Sequence, residues 1–169
     1  MLTGGRKCVI FQLIDDHSRF AVATHVTWGE TSEGAIAVVK KGIAAHGVPQ
    51  RLLTDNGAAL NPSRRGAVGQ LVTYIEGFGV EAITGKPYKP TTQGKNERFH
   101  QTLFRWLDKQ PLAGTLEDLQ GQVDEFDRIL LTKPGDYPRP DAEFSGLRPG
   151  NSPIAPPVDF MVSSIVTDS

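Results

Sequence analysis

The most constraining feature of this 169-residue chain is a short apolar run near its beginning. Residues 8–14, CVIFQLI, contain no regular polar alternation, which predicts a β-strand that is buried on both faces. Residues 19–28, RFAVATHVTW, do alternate, and they predict the antiparallel partner of that strand across a DDHS turn. The fold is therefore expected to contain a hairpin whose first strand lies deep inside the protein.

The rest of the chain predicts helices that alternate with short strands. Thr31 is a suitable N-cap for a helix through about residue 45, and VPQRLLTD contains a buried strand at 51–54. Trp28 and Trp106 are both interpreted as core residues. The other predicted elements are a helix after residues 61–63, a strand at 80–84, a helix at 91–110, and a helix that opens with a Thr115/Asp118 capping box. The order ββαβαβαα predicts an α/β fold in which helices flank a mixed sheet.

Composition narrows the class of protein. The length allows one ordinary domain, and the net charge of −1 means that any nucleic-acid-binding surface must be local. The single cysteine, Cys8, excludes an internal disulfide and a cysteine-based zinc site, and it suits a reducing compartment. The apolar run is too short for a membrane span. We divide the chain into a core at 1–132 and a tail at 133–169, which is rich in Pro and Gly and expected to be disordered or loosely packed.

Two acids stand out from their surroundings. Segment 86–100, KPYKPTTQGKNERFH, concentrates basic residues around one acid, Glu97, at the margin of the predicted helix's apolar stripe. Positions 93 and 101 are glutamines, so no cation is available for an i,i+4 pair. Asp55 closes the strand at 51–54, where α/β sheets expose functional side chains. Taken alone, Asp55 is a plain turn residue and Glu97 a solvated one, so the indication comes from their combination.

Two carboxylates that meet repel each other unless a cation lies between them. Mg²⁺ or Mn²⁺ is the natural occupant, because both ions prefer oxygen ligands and keep positions open for phosphate. Two such ions about 4 Å apart can drive phosphodiester displacement, with nearby bases binding the nucleic acid. Tyr88 either stacks on a base or packs on the sheet, and His100 either contacts phosphate or lies on the helix surface. The candidate DNA-contacting residues are Lys86, Tyr88, Lys89, Thr91, Gln93, Lys95, Arg98, His100 and Arg105.

Three segments, LIDDHSRF, LLTDNGAAL and KPYKPTTQGKNERFHQTL, together resemble the integrase catalytic core of bacterial DDE transposases of the insertion-sequence group. The resemblance covers about residues 3–130. It implies a ribonuclease-H-like fold, with a five-stranded mixed sheet and helices on both faces. It also implies that Asp55 and Glu97 are catalytic acids that bind Mg²⁺ or Mn²⁺. The implied activity is cutting and joining of transposon-end and target DNA by a homo-oligomer in the bacterial cytoplasm at the nucleoid.

Two departures from the family pattern affect these expectations. In the family, the first catalytic aspartate lies on a strand upstream of the segment matched by CVIFQLIDDHSR, and nothing of that kind precedes Leu2. That strand is central in the family's sheet, between the hairpin and the Leu52–Leu53 strand. We therefore expect a missing central strand, unpaired backbone groups at about 1–3 kcal/mol each, and a chain that is weakly folded or borrows a strand from a partner. Catalysis is then expected to be weak or absent.

The second departure concerns the end of the chain, where LLTKPGDYPRP and a proline-rich tail replace the expected family segment. A truncated or frame-shifted transposase gene would explain both departures. Asp15 is interpreted as a turn residue, and its use as a substitute for the lost aspartate is the less favoured alternative. Two other functions stay open beside transposition: a non-catalytic DNA-binding or dimerising remnant, and a general ribonuclease-H-like nuclease.

Overall fold

A five-stranded mixed sheet is the centre of the computed structural model, which describes residues 7–15, 21–54, 69–84, 100–132 and 159–167. Its described strands lie in the order β2-β1-β5-β3-β4. β1 is antiparallel to both of its neighbours, β2 and β5, whereas β3 is parallel to both β4 and β5. The strands are β1 (Cys8–Asp15), β2 (Ala21–Thr27), β3 (Arg51–Thr54), β4 (Glu81–Thr84) and β5 (Asp159–Thr167).

Helices cover both faces of this sheet. They are α1 (Ser32–His46), α2 (Gln70–Glu76), α3 (helical over the described residues 100–107) and α4 (Leu116–Thr132). α1 and α2 pack on the face that carries Phe11, Leu13 and Leu52. α3 and α4 pack on the opposite face, which carries Cys8 and Ile10. The mixed α/β sheet flanked by helices, as in a ribonuclease-H-like core, is therefore confirmed. No helix among these described residues is long and apolar enough to cross a membrane.

The local patterns explain why the helices form where they do. The side chain of Thr31 accepts a hydrogen bond from the Gly34 backbone N–H, as expected for an N-cap. At the start of α4, Thr115 and Asp118 exchange two hydrogen bonds of 3.0 and 3.1 Å, so the predicted capping box is confirmed. α4 then buries Leu119, as its apolar stripe predicted.

The centre of the sheet is occupied, contrary to the expectation of a missing central strand. β5 lies between β1 and β3, with eight residue pairs to β1 and four to β3. It is antiparallel to the hairpin strand and parallel to β3. Both ladders that were expected to lose their partner therefore have one, and it comes from the far end of the same chain.

β5 also corrects the expectation of a loose tail for residues 159–167. Phe160, Met161 and Val162 are each at most 2% exposed, so this segment is part of the core. The physical reason is pairing: apolar residues on both sides of the strand meet covered faces once β1 and β3 supply the backbone partners. Residues 133–158 lie outside the described part of the chain.

The outer edge of β2 is protected by a side chain of α4. The Gln120 amide donates to the Thr24 carbonyl at 3.1 Å and accepts from the Val26 backbone N–H at 2.8 Å. Lys41 of α1 also donates to the Thr24 carbonyl, at 3.0 Å, and pairs with Asp124 of α4. These contacts satisfy backbone groups that an edge strand would otherwise expose, and they fix α4 against the sheet.

The two tryptophans have different environments. Trp106 packs against Phe126, with 5.5 Å between ring centroids, so its interpretation as a core residue is confirmed. The same interpretation is wrong for Trp28, which is 52% exposed. Trp28 directly follows Thr27, the last residue of β2, so the alternation that would have turned it inward stops one residue too early.

Candidate functional site

Most of the residues proposed for the site lie outside the described part of the chain. This holds for the two candidate catalytic and metal-binding acids and for seven of the nine candidate DNA contacts: Asp55, Glu97, Lys86, Tyr88, Lys89, Thr91, Gln93, Lys95 and Arg98. The two described members are on α3. Arg105 is exposed, as a phosphate-binding residue must be, and His100 is half-buried. The nearest described residues in the sequence are Thr54, before Asp55, and His100, after Glu97.

The carboxyl end of β3 is one of those neighbours. Thr54 is the last residue of the strand, is 1% exposed and pairs with Val162 of β5. Asp55 is the next residue in the sequence. On the other candidate segment, Leu103 and Leu107 of α3 pack against the β1 residue Ile10. The helix that follows Glu97 in the sequence is thus docked on one particular face of the sheet, which we call the α3 face.

A row of polar side chains crosses the α3 face. Gln12 of β1 pairs with Thr24 of β2 on one side and with Ser163 of β5 on the other. Directly opposed residues of antiparallel strands point to the same face. Gln12 is two residues after Ile10 in β1, so it points to the same face as Ile10, which packs with α3. We call Thr24, Gln12 and Ser163 the polar row.

The polar row is fully buried and its hydrogen-bonding groups are unsatisfied. The three residues are 0 to 1% exposed. Neither amide atom of Gln12 nor the Ser163 hydroxyl has a hydrogen-bond partner within the described structure. The Thr24 hydroxyl has none at good hydrogen-bonding geometry, although it lies close enough to the Asp127 carboxyl to favour the charged form of that group. A buried polar group without a partner costs about 1–3 kcal/mol, so three in one row call for a specific explanation.

Ser163 has a defined height relative to β3. It follows Val162, the partner of Thr54, so it lies one residue beyond the last described pair of the β3–β5 ladder. Neighbouring strands are about 4.8 Å apart, so the Ser163 side chain borders the point where the chain leaves β3. Sequence reasoning missed the polar row. The only local signal was Gln12 itself, the single polar residue inside CVIFQLI.

The two described acids nearest in the sheet are not at this height. Asp15 pairs with Phe160, a residue of the core on the α1 side, so Asp15 points to the face opposite the polar row. Asp159 is four residues from Ser163 along β5, about 13 Å, and forms a two-pronged ion pair with Arg51 at the start of β3. The position of Asp15 on the opposite face argues against the less favoured idea that it replaces the lost aspartate.

A further acid is half-buried on the α3 face. Asp127 of α4 lies beside Thr24, and burial raises the pKa of its carboxyl to about 6, while the Thr24 hydroxyl and the charge of Lys41 oppose the rise. Its Oδ1 atom has no hydrogen-bond partner among the described residues. Asp127 therefore adds one more unsatisfied oxygen beside the Thr24 end of the polar row.

A surface groove elsewhere on the domain is unsuited to DNA. It has a volume of about 560 Å³ and lies between α3, the connection at 108–115 and α4. Its lining includes the acids Glu117, Asp118 and Glu125, together with Trp106 and Leu112. Negative charges repel phosphate, so a nucleic acid is expected to bind elsewhere.

The described residues by themselves do not make a metal centre. In the part of the chain that the structure describes, His, Cys, Asp and Glu form no group of three that could hold an ion. The nearest fit is the polar row, because its unpartnered amide and hydroxyl oxygens are of the type that hard divalent ions accept. Apart from Asp127 at the Thr24 end, any carboxylate ligand beside the row must come from residues outside the described ranges.

Comparisons with known proteins agree with this fold. Residues 1–90 match a family model described as integrase core domain, and residues 78–129 match a second model with the same description. The chain is 34% identical over 105 residues to the Gag-Pro-Pol polyprotein of squirrel monkey retrovirus, which covers 62% of this chain and 5% of that polyprotein. It is 30% identical over 110 residues to the Gag-Pro-Pol polyprotein of mouse mammary tumor virus (strain BR6), which covers 65% and 6%.

A mouse protein named IgE-binding protein is also similar, at 38% identity over 74 residues, or 44% of this chain and 12% of that protein. The chain spans only about a twentieth of the length of the retroviral polyproteins that it matches. The first family model covers more than half of the 169 residues. On that evidence, the chain belongs to the integrase core domain family.

Proposed function

We propose that this chain is a DDE-type transposase core of the bacterial insertion-sequence group, whose chemistry is metal-dependent cleavage and transfer of DNA strands. The observation that carries the proposal is the family match, which extends through both segments that hold the candidate acids. Integrase core domains act in DNA integration. The likeness of LIDDHSRF and LLTDNGAAL to insertion-sequence transposases favours that group over the retroviral relatives.

Asp55 and Glu97 are the proposed ligands of Mg²⁺ or Mn²⁺. Asp55 directly follows Thr54, the end of a central strand, and Glu97 precedes the part of α3 that docks on the α3 face. When bound, the ion supplies a Lewis acid that polarises a phosphodiester. The task of the two carboxylates is to hold it.

The proposed DNA contacts lie on the segment from Lys86 to Arg105. Arg105 is exposed on α3, which leaves its guanidinium available to phosphate. The neighbouring groove is not proposed as a DNA contact, because the negative charges of Glu117, Asp118 and Glu125 in its lining repel phosphate. We also propose that the chain forms a homo-oligomer in the bacterial cytoplasm and binds transposon ends and target DNA.

One observation favours a second candidate function, a DNA-binding remnant with impaired catalysis. β5 takes the central place in the sheet, yet the side chain that it presents beside the end of β3 is the hydroxyl of Ser163. The only acid in the strand, Asp159, is engaged by Arg51. A site with two carboxylates binds a divalent ion more weakly than one with three, so strand transfer is expected to be slow or absent.

Calorimetric titration with Mn²⁺ tests the metal site on the full chain, with Asp55→Ala and Glu97→Ala as the informative variants. We expect wild type to bind the ion and each variant to lose at least about tenfold in affinity, because each removes one of two charged ligands. Asp108→Ala removes an exposed carboxylate at the end of α3 and is the matched control. Equal affinity in all four proteins would refute the proposed site.

Cleavage of plasmid DNA in the presence of Mn²⁺ then separates the two functions. An active transposase core nicks DNA and loses this activity in Asp55→Ala. A remnant retains DNA binding, measured by fluorescence anisotropy, without nicking. If nicking occurs without any joining of transposon ends to target, the chain is instead a general nuclease.

A further inference from the structure

The polar row is the strongest feature of the molecule that the proposed function does not yet use. Gln12 and Ser163 are completely buried in the centre of the sheet, where apolar side chains would pack without cost. Their unsatisfied atoms all lie on the α3 face. Ser164, the next residue, provides a contrast: it points to the opposite face, and its hydroxyl donates to Glu30 at 2.8 Å.

We propose that Ser163 and Gln12 supply neutral oxygen ligands to the divalent ion, in the place where the central strand offers no carboxylate. This inference rests on the proposed function, because it assigns new residues to the same metal site. The height of Ser163, one residue past the Val162–Thr54 pair, puts its hydroxyl beside the exit of β3, and Asp55 is the first residue after that exit. Gln12 is the direct partner of Ser163 on the next strand.

The register explains why both residues serve the same ion. The side chains of directly opposed residues on one face have Cβ atoms about 4.5–5.5 Å apart, so one ion can be reached from both. The Gln12 amide lies between two hydroxyls, those of Thr24 and Ser163. If its carbonyl oxygen turns toward Ser163, its amide N–H group turns toward Thr24. The carbonyl oxygen and the Ser163 hydroxyl then bind the ion, and the N–H group donates to the Thr24 hydroxyl.

Oxygen chemistry determines which ion fits. Hydroxyl and amide oxygens are accepted by Mg²⁺, Mn²⁺ and Ca²⁺, but they carry no charge to offset the loss of the ion's hydration shell. A row of neutral ligands therefore supports the two carboxylates without replacing a third. The expected site is weaker than a three-carboxylate site, and it depends on Ser163.

Matched serine substitutions test the inference in the full chain. Ser163→Ala removes the proposed ligand, and Ser164→Ala removes the same atom from the opposite face of the same strand. The readout is the concentration of free Mn²⁺, measured by electron paramagnetic resonance during titration. We expect Ser163→Ala to weaken Mn²⁺ binding by about tenfold or more and Ser164→Ala to leave it unchanged. Thermal unfolding without metal confirms that each variant folds.

Ser163→Asp keeps the test decisive if Ser163→Ala does not fold. A carboxylate at that height adds a charged ligand, so Mn²⁺ binding is expected to become tighter by about tenfold or more. Binding that is unchanged or weaker in a folded Ser163→Asp protein overturns the inference.

The outcomes separate this inference from the proposed function. If Asp55→Ala loses Mn²⁺ and Ser163→Ala binds as tightly as wild type, the polar row holds only internal water and the inference is wrong, whereas the proposed function stands. If Asp55→Ala also binds as tightly as wild type, both fail. Loss of affinity in both Asp55→Ala and Ser163→Ala, with Ser164→Ala unchanged, supports both.

Discussion

The raised pKa of Asp127 predicts how the free energy of unfolding changes with pH. Burial raises the pKa of its carboxyl from 3.8 to about 6, against the opposing effects of the Thr24 hydroxyl and Lys41. An acid with a raised pKa holds its proton more tightly in the folded state. Its stabilising contribution is therefore fully present below pH 3.8 and is lost as the pH rises to about 6. At about 1.4 kcal/mol per pKa unit, the loss amounts to about 3 kcal/mol by pH 7.

Asp127→Asn removes the charge with little change of shape. We expect its free energy of unfolding, relative to wild type, to rise by up to about 3 kcal/mol between about pH 4 and about pH 7. Denaturant titrations at a series of pH values measure this difference, and the subtraction cancels the titration of the other carboxyl groups. A difference for Asp127→Asn that does not vary between about pH 4 and about pH 7 would refute the reasoning.

Two other substitutions test the way β5 and α4 are attached to the sheet. Thr167→Cys should form an internal disulfide with Cys8, because these residues pair directly and the Cys8 sulfur lies 3.2 Å from Thr167 Oγ1. Intact-mass measurement after mild oxidation detects the loss of two hydrogens. Two free thiols after this treatment would contradict the register. Gln120→Ala should lower the free energy of unfolding by about 1–3 kcal/mol, because the Val26 N–H loses its partner at the edge of the sheet. Denaturant unfolding measures the change. A loss below about 0.5 kcal/mol would show that water replaces the Gln120 amide.

Local sequence patterns were sufficient for the hairpin and for the helices flanking the sheet. The apolar run from Cys8 carries its own signature, and the Thr115/Asp118 pair defines the start of α4 by chemistry that involves only neighbouring residues. Such elements are predictable because the residues that determine them are close in sequence. Trp28 shows the limit, since its exposure depends on where the pairing with β1 stops.

β5 and the polar row could not be predicted in this way. Ser163 and Ser164 interrupt the apolar pattern of DFMVSSIVT, and the prolines before it indicate a loop. What makes the segment a strand is its pairing with β1 and β3, more than 100 residues earlier in the chain. The polar row depends on register, because only the alignment of Gln12 with Thr24 and Ser163 brings the three together. Pairing and register are tertiary properties that a single sequence does not display.

The central place of β5 has a consequence that two residues on the same strand can test. Phe160 is 2% exposed in the core on the α1 side, whereas Val166 is 51% exposed. Phe160→Ala should therefore cost about 3–5 kcal/mol, a large part of the stability of a domain of this size, and Val166→Ala no more than about 0.5 kcal/mol. Denaturant unfolding of both variants measures the contrast. If the segment were a loose tail, as the sequence suggested, both substitutions would be nearly neutral. A large cost confined to Phe160 means that the stability of the domain depends on β5.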